Sequence, residues 1–339
     1  MDAIATYFKF AERGTTLATE VKAGLTTFMV MAYIIVVNPS ILSAAGVPVA
    51  AAAAGTALVA GLLTIAMGVF ANAPIALAAG LGINGIVAFY LAGPVDQGGL
   101  GLSWQGAMGV IVLEGIVVTV LVLVGLREAI MRAVPMALKR AIGVGIGLFI
   151  LFIGFIDAGI IVKTGGSSAE NPVPVTFVFP TEPAHFLFWL GLLITILVTT
   201  VIAIVVGVQP LPTTFVATPS FSTLGAFDLG NVFAVLGGLA AVLTIFSFML
   251  TDFFDTMGTA TAISEQAGLV DEDGQPENVG RILLVDSVAA AVGGAAGISS
   301  NTSYIESAAG VAEGGRTGFA SVVTGLLFLA AILLTPLAV

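Results

Sequence analysis

The chain has 339 residues, 58% of them hydrophobic and only 9% charged, whereas a soluble domain carries about a quarter charged residues, so lipid must cover much of its exterior. A net charge of −10 argues against a nucleic-acid partner and against a polybasic membrane anchor. With no cysteine and a single histidine, His185, the chain has no disulfide, thiolate or multi-histidine metal site, and no cofactor is expected.

The N-terminal stretch MDAIATYFKFAERGTT is amphipathic and charged, and no small-residue cleavage site follows a short apolar run, so a removable signal peptide is not expected. Apolar runs of about 20 residues predict spans at 19–38, 50–71, 105–126, 137–162, 185–208, 233–262, 279–296 and 317–338. Segments 74–92 (PIALAAGLGINGIVAFYLA) and 297–312 (GISSNTSYIESAAGVA) are also apolar, but glycine and polar residues interrupt them. Lys9, Arg13 and Lys22 at the first span predict a cytoplasmic N-terminus. If 74–92 crosses, the chain returns to that side at Arg127, Arg132, Lys139 and Arg140, which read as flanking cytoplasmic charges. Arg281 and Arg316 on the same side require 233–262 to run inward. This leaves open either a second crossing within 201–232 or a departure from simple counting. His185 reads as an interfacial residue, and the acidic run Asp271-Glu272-Asp273 with Glu277 as a solvated loop.

The two interrupted segments hold matching places, each preceded by two long spans and followed by one. Such a pair points to a secondary transporter with its site at the bilayer midplane. Each segment reads as a short extended stretch leading into a half-helix, a backbone tolerated only where protein buries it or it lines a cavity. Glycines that merely allow close helix packing are the alternative.

Ionisable residues inside spans cost about 2.5–3.5 kcal/mol each on insertion scales and mark function. Asp252 and Asp255 are one helical turn apart and can share an interior seam, and Asp286 lies about two turns into the next span. Glu306 is expected in the first turn of the second half-helix, where the helix dipole favours a carboxylate. Its charge state can then follow whether the cavity holds water, a cation or a substrate, as a proton-coupled carrier needs. Asn84, between Gly82 and Gly85, offers donors and an acceptor suited to a flat heterocycle. Glu114 in VIVLEGIVV is read as a bundle-internal partner or a neighbour of the site, and Phe254 and Phe89 as possible stacking rings.

TDFFDTMGT (251–259), RILLVDSVAAAVGG (281–294) and NTSYIESAAGVAEGGRTG (301–318) resemble the AzgA-like purine permeases of the nucleobase–ascorbate transporter superfamily, as do VKAGLTTFMVMAYIIVVNPSIL (21–42) and ALAAGLGINGIVAF (76–89). The resemblance weakens from 165 to 232. It implies proton-coupled uptake of adenine, guanine and hypoxanthine, by an all-α multi-pass fold of fourteen spans in two inverted repeats, with two broken spans built of a short strand and a half-helix. Carried over residue by residue, it implies substrate contacts at Asn84, Asp255 and Glu306, with support from Asp286. Phe254, Gly82 and Ser303 complete the candidate substrate-binding set, and Asp252 and Glu114 join Asp286 as coupling or support residues. The implied organisation is a core domain at 1–126 and 233–339, one repeat in each part, around a reduced gate domain at 127–232.

Two departures from the family pattern stand out. Ala78-Ala79-Gly80 replaces the usual Ala-Pro-Gly, and Val339 falls where the eleventh span should end, so a shortened gate is expected. Expected partners are a purine nucleobase, a proton or Na+ as coupling ion, the lipid bilayer of the plasma membrane, and a second copy in a homodimer. The alternatives are a purine-binding core or fragment that does not transport, and an anion carrier of the same fold. Acids at the site without a basic residue speak against the anion carrier. No paired-histidine or Ser–His arrangement points to an enzyme.

Overall fold

The computed structural model describes residues 2–157, 161–163, 175–177 and 218–337. The span expected at 185–208, with His185, lies outside the described residues, as does most of the stretch in which a second crossing was left open. Among the described residues four helical segments are long and apolar enough to cross a membrane: Leu17–Ser43, Val49–Ala71, Trp104–Leu123 and Leu229–Ala267.

A short helix α1 (Asp2–Tyr7) precedes the first of these, which is interrupted at residues 32–33 into α2 (Leu17–Met31) and α3 (Ile34–Ser43). Helix α4 (Val49–Ala66) continues through a π-helical turn and stops at Asn72, whose left-handed conformation (φ +48°) turns the chain. The segment 74–92 forms strand β1 (Leu77–Ala79), helix α5 (Leu81–Ile86) and a second π-helical turn. Then come α6 (Trp104–Leu123), α7 (Leu126–Ala133) and α8 (Met136–Asp157), followed by β2 (Ile161–Lys163) and β3 (Val175–Phe177), which pair antiparallel with each other.

After the next described residues, 218–228, helix α9 (Leu229–Ala267) runs for 39 residues, longer than the 233–262 expected. At 1.5 Å per residue it would span about 58 Å, against about 30 Å of hydrocarbon. Gly237 breaks it with non-helical angles (φ +73°, ψ 171°), a conformation open to glycine. Helix α10 (Val279–Ala295), strand β4 (Asn301–Ser303), the six-residue helix α11 (Ser307–Ala312) and α12 (Gly318–Ala331) complete the described chain.

The chain divides into two compact units, 1–143 with 214–339, and 144–213. The larger unit is a helical bundle in which α10 lies on α6, α12 on α4 and α2, and α9 on α6. Small residues let these backbones touch, the packing device available where lipid supplies no hydrophobic contrast. A Cβ on Gly325 of α12 would lie 2.5 Å from the Gly61 carbonyl oxygen of α4, and one on Gly115 of α6 would lie 2.3 Å from the Ala291 nitrogen of α10. The outward faces are apolar: Val120 and Leu123 on α6 and Leu239, Val242 and Phe246 on α9 are exposed, as a surface facing hydrocarbon requires.

Polar groups inside the bundle are used as caps. Buried Glu20 of α2 accepts from the backbone N–H groups of Arg316, Thr317 and Ala320 and from the Thr317 hydroxyl, satisfying the start of α12. Asn72 donates to the Phe8 carbonyl and accepts from the Gly318 N–H, tying the N-terminal segment to the same place.

Gly325→Val forces backbone against backbone at the α4–α12 crossing and is expected to destabilise by about 1–3 kcal/mol. Gly145→Ala, on α8 with nothing within 4 Å of the new methyl, should be neutral or stabilising by about 0.5–1 kcal/mol. Thermal unfolding of the purified variants in detergent checks both, and equal melting temperatures would contradict the packing account.

Candidate functional site

Strands β1 and β4, far apart in sequence, pair antiparallel in the register Leu77↔Ser303, Ala78↔Thr302 and Ala79↔Asn301. The Gly80 N–H donates to the Ser300 carbonyl at 2.9 Å and the Tyr304 N–H to the Ala76 carbonyl at 2.9 Å, extending the ribbon at both ends. Because the strands run in opposite directions, α5 leaves one end of the ribbon and α11 the other. Side chains satisfy the remaining backbone groups of β1. Thr64 of α4 accepts from the Leu77 N–H and donates to the Leu77 carbonyl, Ser307 accepts from the Ala76 N–H, and the Tyr304 hydroxyl donates to the Ala79 carbonyl at 2.6 Å.

Strand β4 is held instead by acids. Asp286 of α10 accepts from the Ser303 N–H (3.0 Å) and the Ser303 hydroxyl (2.9 Å) on one oxygen, and from the Thr256 hydroxyl (2.6 Å) on the other. Asp252 of α9 accepts from the Ser300 hydroxyl (3.2 Å) and Asp255, one turn on, from the Thr302 hydroxyl (3.2 Å). Asp252 and Asp255 therefore share one seam, and that seam is the face of β4. Beyond the strand, Glu306 accepts from the Tyr33 hydroxyl at 2.6 Å. Tyr33 stands at the interruption between α2 and α3. Glu306 is the N-cap residue of α11 and lies just outside its first turn. A six-residue helix offers little dipole, so its fixed partner is a hydroxyl.

The cluster also contains a cation that the sequence reading placed elsewhere. Arg127, expected among the cytoplasmic flanking charges, is 1% exposed. Its Nη2 lies 3.1 Å from Asp286 and 3.8 Å from Asp252. Lys139, assigned to the same flank, is likewise buried and donates to Gln275 at 2.7 Å. Arg127 follows the end of one hydrophobic run and Lys139 stands at the start of the next, where a window of hydropathy reads a charge as loop; α7 and the start of α8 instead pack back against the bundle.

The other candidates are placed differently. Asn84 is fully buried and donates to Asn38 at 2.7 Å, and Asn38 donates to Thr56 and to the Ile298 carbonyl. Its own amide oxygen has no partner among the described residues. Asn84 thus belongs to a second network, on a helix that packs against both α3 and α9. Glu114 is fully buried with no hydrogen bond on either oxygen among the described residues, within electrostatic reach of Asp252, Arg127 and Asp286. Phe254 is not brought to these groups: it lies on the far side of α9 from Asp252, 39% exposed, its ring edge-on to Phe253. Gly82 is exposed in the first turn of α5, and Phe89 is exposed as well. Ser303 spends both its N–H and its hydroxyl on Asp286.

Exposure sorts the acids. Asp252, Asp286 and Glu114 are sealed, whereas Asp255 and Glu306 are partly exposed. Each of these two commits an oxygen to a hydroxyl and retains acceptor capacity. Both are therefore able to accept hydrogen bonds from N–H groups of a ligand. The sequence reading missed Tyr33, Asn38 and Thr302. The available signal was a tyrosine and an asparagine inside the otherwise apolar span 19–38.

Residues 18–338 match the Permease family (Xan_ur_permease). The chain is 40% identical over 345 residues to the adenine permease AdeP of Escherichia coli (strain K12), covering 98% of this chain and 75% of that protein. It is 39% identical over 355 residues to the guanine/hypoxanthine permease PbuG of Bacillus subtilis (strain 168), covering 98% and 78%. Among solved structures, the transmembrane domain of a cyanobacterium bicarbonate transporter, BicA, superposes with a TM-score of 0.61 over 95% of this chain and 86% of that one. At 16% identity this is a likeness of fold alone.

Asp286→Ala removes an acceptor shared by four donors and leaves Arg127 under-compensated, an expected loss of about 3–5 kcal/mol. Asp255→Asn, partly exposed with one hydroxyl bond, should cost about 1 kcal/mol or less. Unfolding temperatures of the two variants in detergent test this ordering, which a reversal would refute.

Proposed function

The chain belongs to the Permease family, and on that premise we propose that it carries purine nucleobases across a membrane. The substrate class comes from relatives named for adenine and for guanine and hypoxanthine. The observation that carries it to this site is the pair of partly exposed acids, Asp255 of α9 with an oxygen on the Thr302 hydroxyl and Glu306 just after β4, in a cluster whose other acids are sealed. In this reading Asp255 and Glu306 accept from ring and exocyclic N–H groups of the purine. Asn84 on α5 offers the ligand an amide oxygen that has no partner among the described residues, and Asp286, Asp252 and Glu114 support the site. Ser303, fully used by Asp286, acts through the strand and not by direct contact.

The finer architecture belongs to the same proposal. The segments 74–92 and 297–312 are read as the two broken spans of an inverted repeat, with 1–126 and 233–339 as the core and 127–232 as a gate. The chain is assigned to the plasma membrane with its N-terminus cytoplasmic, with a proton (or Na+) as coupling ion and a homodimer as its assembly. Glu306 is the coupling residue, because a single carboxyl meets substrate, solvent and a hydroxyl partner. An anionic substrate is disfavoured: it would face Asp255 and Glu306, and Arg127 is already shared by Asp286 and Asp252.

Uptake of labelled adenine, guanine and hypoxanthine into proteoliposomes, with pyrimidines and xanthine as competitors and with and without a protonophore, tests the reading. Glu306→Gln should abolish gradient-driven uptake. Near-normal uptake would remove its coupling role, and purine binding by the parent chain without any uptake would favour a binding core over a carrier.

A further inference from the structure

We infer that Arg127 is a positioning residue for the substrate-binding strand: its guanidinium fixes the two carboxylates that hold the ends of β4 and so sets where Thr302, Asp255 and Glu306 stand. The inference rests on the purine-carrier reading and adds to it a residue from outside the substrate-binding set.

The guanidinium is shared among several partners. Nη2 reaches Asp286 at 3.1 Å and Asp252 at 3.8 Å, while Nη1 donates to the Leu283 carbonyl at 3.3 Å and to the Ser287 hydroxyl. The Phe253 ring lies 5.6 Å from Cζ and closes one face. A planar fork that serves two carboxylates, a hydroxyl and a carbonyl at once is a geometry that a lysine's point charge does not reproduce.

Asp252 and Asp286 come from different helices, α9 and α10, and they grip Ser300 and Ser303 respectively. Thr302 lies between these two anchors with its hydroxyl on Asp255, and Glu306 follows three residues after Ser303. Among the described residues, the oxygen of Asp252 that faces Arg127 has no hydrogen-bond donor, and neither oxygen of Glu114 has one. Among the described residues Arg127 is therefore the one cation that meets three sealed carboxyls, Asp252, Asp286 and Glu114. Without it α9 and α10 would present uncompensated acids to each other, and the spacing between the two serine anchors would no longer be determined.

A purely structural role is distinguished by measuring stability and affinity together. Equilibrium binding of adenine and guanine and the melting temperature are measured on the full chain in detergent, for the parent, Arg127→Lys and the double variant Arg127→Met with Asp286→Asn, which replaces both partners of the 3.1 Å ion pair and leaves an amide oxygen for Ser303. The double variant removes one positive and one negative charge and so keeps the balance of the cluster. The expected result is melting close to the parent in both variants with affinity reduced at least about tenfold, a factor of ten being 1.4 kcal/mol. Affinity within twofold of the parent in either variant would overturn the inference. Loss of the fold in both would overturn it too, since Arg127 would then hold the bundle and not the site. If the parent chain binds neither purine, the functional reading fails and not the role of Arg127.

Discussion

Main-chain N–H and C=O groups cannot be left unpaired where water is absent, and the β1–β4 ribbon is how this permease meets that constraint inside its bundle. Residues 77–79 and 301–303 are not helical, so their backbone groups must pair with each other or with side chains. The rest of the site follows from how that is done. Thr64, Ser307 and Tyr304 satisfy the first strand with neutral hydroxyls. The second strand is met by carboxylates from α9 and α10, and those carboxylates require a cation.

This asymmetry gives the two strands different characters. Around β1 neutral hydroxyls suffice, and the strand itself is leucine and alanine. Among the described residues, every side-chain partner of β4 is ionisable or bonded to an ionisable group, so its geometry depends on the charge state of its surroundings. That dependence is concentrated on one strand and the residues just after it.

Much of the membrane character was readable from composition and hydropathy alone, and the family resemblance carried by 251–259, 281–294 and 301–318 is borne out by the match over residues 18–338. The interrupted segments were conspicuous because glycine and polar residues break an apolar run, and Asp252, Asp255, Asp286 and Glu306 because acids are rare at such positions. Arg127, Lys139 and Glu20 were not readable as buried. Each sits at the polar edge of a hydrophobic run, and only the way α7, α8 and α12 pack shows that those edges lie inside the protein. Tyr33 was hidden for the opposite reason, since a tyrosine in an apolar span looks like one more aromatic until the helix is seen to stop beside it. Phe254 misled because adjacency in sequence to Asp255 is about 100° of rotation on a helix, enough to turn a ring away from the face its neighbour occupies.

The ribbon has a consequence for how the chain is made. Its strands are separated by roughly 220 residues, so a closing contact of high sequence separation must wait for most of the protein to be synthesised. During that interval β1 has no strand to pair with. Thr64, only thirteen residues before Leu77, already supplies one donor and one acceptor to it. That local pairing acts as a placeholder, keeping the first segment's backbone in service until the second arrives.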